Sequence, residues 1–150
     1  MHKDLWSRFE EDWPKRKKET MELISTHPIK KSDLGMHGNL FGGKLLSWLD
    51  AAAGSYAMQL CDTPMMVTVS IDKCVFKKAA KENQLLKMYA SAKKIGRTSI
   101  TIYVEARSHN VYSGNQNLIL STDITFVRID ETGEAIPIAE RVHNKIKQIK

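Results

Sequence analysis

Lys44-Leu45-Leu46-Ser47-Trp48-Leu49-Asp50-Ala51-Ala52-Ala53-Gly54-Ser55-Tyr56-Ala57-Met58-Gln59-Leu60 is the stretch on which the fold turns. Leu45, Leu46, Leu49, Ala52, Ala53, Tyr56, Ala57 and Leu60 recur at helical spacing and share one wide face, with Lys44, Ser47, Ala51, Ser55 and Met58 opposite. A helix this apolar and this rich in alanine is a buried central helix rather than a surface one. Asp62-Thr63-Pro64 closes it, because proline cannot continue the hydrogen-bond ladder.

On either side of this helix the period drops to two. Val67, Val69 and Ile71 alternate with Thr68, Ser70 and Asp72, which predicts a strand over 66–76. Leu86, Met88, Ala90 and Ala92 predict the next strand over 84–93, and Ile100, Ile102, Val104 and Ala106 another over 98–108. Between them Lys94-Ile95-Gly96-Arg97 reads as a tight hairpin turn. Leu118, Leu120, Ile124 and Phe126 belong to a last long strand ending at Asp130-Glu131-Thr132-Gly133. Upstream, 19–26 reads as a first strand stopped by His27-Pro28, and Leu5, Trp6, Phe9 and Trp13 give a short amphipathic helix over 4–13. The order is strand, buried helix, then four strands on short turns, an antiparallel meander. A helix so apolar needs cover on most sides, so the sheet must curl around it. The 150 residues are expected to form a single α+β domain with a basic C-terminal tail at 141–150, in which Val142, Ile146 and Ile149 are spaced for a helix.

Charge narrows the function classes. The net charge is +6, but the whole excess lies at the ends. Residues 1–18 hold six basic and four acidic groups, 141–150 adds Arg141, Lys145, Lys147 and Lys150, and 19–140 is neutral. A body made to lie along a phosphate backbone would carry its charge on a folded face, so nucleic acid is not expected as a partner. No apolar run approaches the ~18 residues that span a bilayer, and the N-terminus lacks the apolar core of a secretory signal, so no membrane role is expected. Two cysteines, Cys61 and Cys74, form neither a disulfide framework nor a zinc-ligand pair, which predicts reduced thiols, a cytoplasmic location and no metal.

Two features of the central helix could carry chemistry. Asp50 breaks it about 90° from the middle of the apolar face, where a carboxylate is partly desolvated, and Ala51, Ala53 and Gly54 leave room beside it. An isolated helical Asp is more often a solvent-facing seam residue, so Asp50 alone defines no site. Gly42 and Gly43 begin the helix, where free N–H groups offer an anion point of the kind that holds an oxyanion in acyl transfer. A loop glycine pair with no such role is the plainer reading. Gly43 and Asp50 stand about 10 Å apart along the helix axis, too far to serve one carbonyl carbon. A dimer could supply the acid from one subunit and the N–H donors from the other.

The run from His37-Gly38-Asn39-Leu40-Phe41-Gly42-Gly43 to Asp50 resembles the opening of the hotdog-fold acyl-CoA thioesterases, with their Gly-x-x-Phe-Gly-Gly motif and an Asp seven residues after the second glycine. Val67 to Asp72, followed by Phe76-Lys77, resembles the family's second strand. Lys94-Ile95-Gly96-Arg97-Thr98-Ser99 resembles its Gly-Arg-Ser/Thr-Ser hairpin, and 122–126 its last strand. The likeness spans about 23–137 and is strongest to the YciA-like and cytosolic acyl-CoA hydrolase group. It implies a hotdog fold, an antiparallel sheet of five or six strands wrapped around the long helix. It also implies homo-oligomers with a dimer as the minimal active unit, often built further into tetramers or hexamers. By the same likeness Asp50 activates water or itself attacks the thioester, while an N–H at Gly43 steadies the oxyanion. His37, Asn39 and Gly42 lie at the substrate, Thr68, Val69 and Ser70 line the pantetheine channel, and Arg97, Thr98 and Ser99 meet the nucleotide end of coenzyme A. No cofactor is implied beyond the coenzyme A of the substrate itself.

The chain departs from that family at Gly35, where many relatives have an Asn that places water or substrate. His37 and Asn39 are the nearby polar side chains, and the sequence does not choose between them. The family's Pro after the Phe-Lys pair is also missing, since Lys78-Ala79-Ala80 stands there. The alternative to an acyl-CoA hydrolase is a non-catalytic hotdog module that binds or senses acyl-CoA. A binder of polyanions through the basic ends would show steep salt dependence, and a dehydratase would want a His paired with an acid in a pattern His37 does not fit.

Overall fold

The structure is a computed structural model that describes residues 21–149. The amphipathic segment at 4–13 lies outside the described residues. Within them the chain forms strand β1 (Glu22–Pro28), helix α1 (Gly42–Cys61), strands β2 (Met66–Ile71), β3 (Leu85–Ile95), β4 (Ser99–His109) and β5 (Gln116–Arg128), and helix α2 (Glu140–Ile149). All five strands join one antiparallel sheet in the order β1-β3-β4-β5-β2.

The period-two residues do what their spacing demands. Leu86, Met88 and Ala90 of β3, Ile100, Ile102, Val104 and Ala106 of β4, and Leu120, Ile124 and Phe126 of β5 are all buried on one face. Against that face lies α1, burying Leu45, Leu49, Ala52, Ala53, Tyr56, Ala57, Leu60 and Cys61. Small side chains on both surfaces, Ala53 and Ala57 on the helix and Ala90 and Ala106 on the sheet, let the strands close around it. The result is a hotdog fold, a sheet rolled round one long helix. Asp62 takes the left-handed conformation (φ 55°) that ends α1, and its N–H donates to Met58 O.

The connectivity differs from a simple meander. Only β3, β4 and β5 are consecutive neighbours; the 72–84 segment is long enough to carry β2 to the far side of β5. There β2 is an edge strand with Val67, Val69 and Ile71 exposed, Val69 at 54 %. It ends at Ile71 rather than continuing to Phe76, although Asp72 N–H still reaches Asp123 O and Lys77 N–H reaches Ile119 O. The first strand is also displaced, containing the His27-Pro28 pair expected to stop it. Pro28 is tolerated because β1 forms the other edge and the proline lies at its last position.

The outer face of the sheet holds polar groups that strand alternation alone would expose to water. Glu105 and Arg107 are 0 % and 3 % exposed. Glu105 Oε1 accepts from Arg107 Nε and Nη2 at 3.0 and 2.8 Å, and Tyr103 Oη donates to Oε2 at 2.8 Å. The guanidinium also lies over the Tyr89 ring at 3.8 Å. Paired and hydrogen-bonded in this way, two buried charges are tolerated.

The stretch read as a basic tail is the helix α2, whose Val142 and Ile146 are buried in the core. Arg141 Nε and Lys145 Nζ lie 3.6 and 3.2 Å from the Asp62 carboxylate, so part of the terminal charge ties α2 to the end of α1. Truncating Leu49→Ala at the centre of α1 should cost about 2–5 kcal/mol, the usual range for a leucine cavity in a close-packed core. The midpoint of a urea unfolding curve measures it.

Candidate active site

The approach to α1 is fastened at Asp33, which is 4 % exposed. Its Oδ2 accepts from Lys30 N–H at 2.9 Å, its Oδ1 lies 3.4 Å from Lys44 Nζ, and its carbonyl accepts from Phe41 N–H at 3.0 Å. The backbone hydrogen bond from Lys30, then the Lys44 ammonium, holds this carboxyl below its ordinary value despite its burial. Beside it His27 stacks flat on Trp48, with centroids 4.4 Å apart and planes 5° from parallel. Burial there pushes the imidazole below its usual value, opposed by Asp33. One end of α1 is thereby fixed to β1 and to the preceding loop.

At that end Phe41 provides no side-chain cap, so the first N–H groups of α1, those of Gly42 and Gly43, have no intrahelical acceptor. The glycines also answer to two aromatic rings. A Cβ on Gly43 would come within 2.8 Å of the Phe41 ring, and one on Gly42 within 3.3 Å of the Phe76 ring. A pocket of about 410 Å³ opens here, with Leu40, Leu45, Phe76 and Ile119 as apolar walls and Asn39, Lys77 and Lys78 as polar ones. Asn39 Oδ1 accepts from Lys81 Nζ at 3.0 Å. His37 is exposed in the preceding loop and makes no hydrogen bond among the described residues. Gly35, in the same loop, donates its N–H to Asn39 O at 2.8 Å.

Two turns along α1, Asp50 is half-buried and its Oδ1 accepts from Thr68 Oγ1 at 2.8 Å. Thr68 is on β2, so this bond joins the helix to the exposed sheet edge. The pairing of β2 with β5 breaks register between Thr68 and Ser70, which leaves Val69 in a bulge. Along α1 from Asp50 towards the C-terminus, the exposed side is lined by Ala51, Ser55 and Met58.

The hairpin 96–98 turns at the other end of β4. Gly96 N–H donates to Ser99 O at 2.8 Å, and a Cβ on Gly96 would meet Ser99 Oγ at 2.9 Å, so this close approach requires glycine. Ile138 N–H donates to Arg97 O and Arg128 N–H to Thr98 O, which ties the hairpin to the C-terminal segment. Ser99 pairs with Val127, whereas the pocket lies beside Ile119, roughly 25 Å away along the strand. One chain therefore brings Asp50 to Thr68, and Asn39 to Gly42, but sets the Arg97 hairpin at the end of the sheet away from the pocket, across β5 from the start of β2. Sequence reasoning missed Asp33, and it did not foresee that Phe76 meets Gly42 or that Lys81 bonds Asn39, because those partners are remote in sequence. Among the described residues no group of three His, Cys, Asp or Glu could hold a metal ion.

Residues 37–113 match the family model of the thioesterase superfamily. The chain is 28 % identical over 130 residues to the uncharacterised acyl-CoA thioester hydrolase YkhA of Bacillus subtilis (strain 168), covering 85 % of this chain and 74 % of that one. It is 30 % identical over 107 residues to an uncharacterised acyl-CoA thioester hydrolase of Buchnera aphidicola subsp. Schizaphis graminum, covering 69 % and 78 %. Among solved structures, a hexameric hotdog fold thioesterase of Campylobacter jejuni superposes with a TM-score of 0.74 at 31 % identity, covering 84 % of this chain and 96 % of that one. The chain belongs to the thioesterase superfamily.

The lowered Asp33 carboxyl has a consequence for acid stability. Its stabilisation is complete above the ordinary carboxylate value and is lost as pH falls through the lowered one. Melting temperatures measured between about pH 5 and pH 2 should therefore fall more steeply for the wild type than for Asp33→Asn, which is less stable at neutral pH but has no such proton to gain.

Proposed function

We propose that this chain is an acyl-CoA thioesterase, releasing the free acid and coenzyme A, with Asp50 as general base or nucleophile. The observation that carries the reading is the Asp50 carboxylate, presented on the small-residue side of α1 and held by Thr68 at the sheet edge, in a chain of the thioesterase superfamily. In the reaction, water activated by Asp50, or the carboxylate itself, adds to the thioester carbonyl. The carbonyl π electrons move to oxygen, and the Gly43 N–H steadies that charge. Collapse re-forms the carbonyl and expels the thiolate, which takes the proton that Asp50 drew from water. Where the carboxylate itself attacks, water then hydrolyses the acyl–Asp50 anhydride, frees the acid and supplies that proton. Thiolate is a good leaving group, so the mechanism asks for no metal or other cofactor. Two free cysteines fit a reducing, cytoplasmic setting.

The separation within one chain supports a site shared between two. β2 runs from Met66, opposite Arg128 near the hairpin, to Ile71, opposite Ile124 on the way to the pocket. Antiparallel pairing of two β2 edges would reverse one copy against the other. The Arg97 hairpin of one protomer would then flank the α1 N-terminus of its partner. In that arrangement Arg97, Thr98 and Ser99 meet the nucleotide phosphates, and Thr68, Val69 and Ser70 lie along the pantetheine arm. The exposed Val67, Val69 and Ile71 become interface. Its minimal active unit is a homodimer, and the hexameric Campylobacter relative supports a larger homo-oligomer.

Cleavage of acyl-CoA thioesters across a range of chain lengths, read by release of free thiol, tests the reading. Asp50→Ala and Asp50→Asn should each lower kcat by at least about 100-fold with the melting temperature retained. Full activity in either variant removes Asp50 from the mechanism, and tight acyl-CoA binding without turnover in the wild type points to a binding module. A charge placed at the edge, Val69→Lys, should shift the protein towards monomer in light scattering and lower activity in parallel.

A further inference from the structure

The loop leading into α1 and the 72–84 segment cross at the mouth of the 410 Å³ pocket. Leu40 N–H donates to Ala80 O at 2.8 Å, and Ala80 is buried, which sets residues 39 and 81 side by side. Across this crossing Lys81 Nζ donates to Asn39 Oδ1 at 3.0 Å. An ammonium offers only donors, so it selects the oxygen of the carboxamide and turns the Nδ2 end away from itself. Nδ2 has no hydrogen-bond partner among the described residues, and Asn39 lines the pocket beside Gly42. The first N–H groups of α1 have no intrahelical acceptor there either. The pocket's own side-chain acceptor, Asn39 Oδ1, is already taken by Lys81. Asn39 Nδ2 and the first α1 N–H groups thus stand as neighbouring donors on a pocket with apolar walls, and such a pair fits an acceptor oxygen on a largely apolar ligand.

We propose that Asn39 is a catalytic residue of the thioester hydrolysis, its Nδ2 donating to the substrate carbonyl oxygen beside the α1 N–H groups, and that Lys81 is the positioning residue that orients it. This rests on the hydrolase reading above. As the nucleophile adds to the carbonyl carbon and the π pair moves to oxygen, the amide donor strengthens its bond to the growing charge. It releases no proton and forms no covalent bond. Lys81 acts through Asn39 and does not touch the reacting atoms.

Steady-state kinetics on Asn39→Ala, Asn39→Asp, Lys81→Met and Lys81→Arg test this, alongside Asp50→Ala and thermal melts. Asn39→Ala should lower kcat by about 10- to 100-fold with KM nearly unchanged, as for loss of one oxyanion donor. Asn39→Asp should lose at least as much, because a carboxylate has no hydrogen to give. Lys81→Met should lower kcat by a smaller factor, about 3- to 10-fold, and Lys81→Arg should restore it by donating to the same oxygen. Inhibition by free coenzyme A, which lacks the thioester carbonyl, should be unchanged in all four. Lys81 is exposed, so its variants test orientation without disturbing the core. Wild-type kcat in Asn39→Ala overturns the proposal. So does a loss found only in KM and in coenzyme A inhibition, which would make Asn39 and Lys81 contacts to the coenzyme. Activity that depends on Asp50 but not on Asn39 overturns this proposal alone, whereas a wild type that releases no thiol overturns the hydrolase reading and this one with it.

Discussion

The close packing of α1 against the inner face of the sheet is the constraint from which the rest follows. Ala53 and Ala57 meet a sheet surface containing Ala90 and Ala106, and none of the four is exposed. Side chains this small bring helix and strands near enough for the sheet to roll, and the larger Leu49, Ile102, Ile124 and Phe126 fill the space on either side. Rolling fixes which parts of α1 remain open. The N-terminal turn emerges beside the 72–84 segment, and the flank carrying Asp50 emerges beside β2. The only carboxylate on this helix is thus delivered to the edge of the sheet by the same packing that buries its neighbours.

Much of this was legible in the sequence because periodicity reports which face of an element is buried. The helix, the inward residues of β3, β4 and β5, and the break at Asp50 are all statements about faces. Strand adjacency is a different kind of information. Nothing in the alternation of Val67, Val69 and Ile71 says that β2 pairs with β5 at an edge, and the same alternation suits a strand covered on one side. Glu105 and Arg107 show the same limit, since charged residues at outward positions read as solvated until their mutual pairing is seen. The terminal helix was legible from Val142 and Ile146, four apart on one face, but its lysines gave no sign that this face is buried in the core.

The candidate site divides in the same way. Gly42, Gly43 and Asp50 stand out locally, as a helix start and as a flaw in an apolar face. Their partners do not. Thr68 lies 18 residues from Asp50, and Lys81 lies 42 from Asn39, so each contact appears only when the sheet brings distant segments together. Between His37 and Asn39, which the sequence left equal, the geometry separates a side chain exposed in a loop from one lining a pocket.

The bulge at Val69 bears on how the chain keeps out of aggregates. A flat edge strand displaying Val67, Val69 and Ile71 is a template on which any extended segment could stack, and repeated stacking is how fibrils grow. The register break between Thr68 and Ser70 twists that edge and interrupts its row of free amide and carbonyl groups. A partner strand must accommodate the interruption to pair along the whole length, and a generic extended peptide does not. The irregularity beside the Asp50 contact is then also a filter, admitting a matched edge and turning away the disordered chains that surround a protein in a crowded solution.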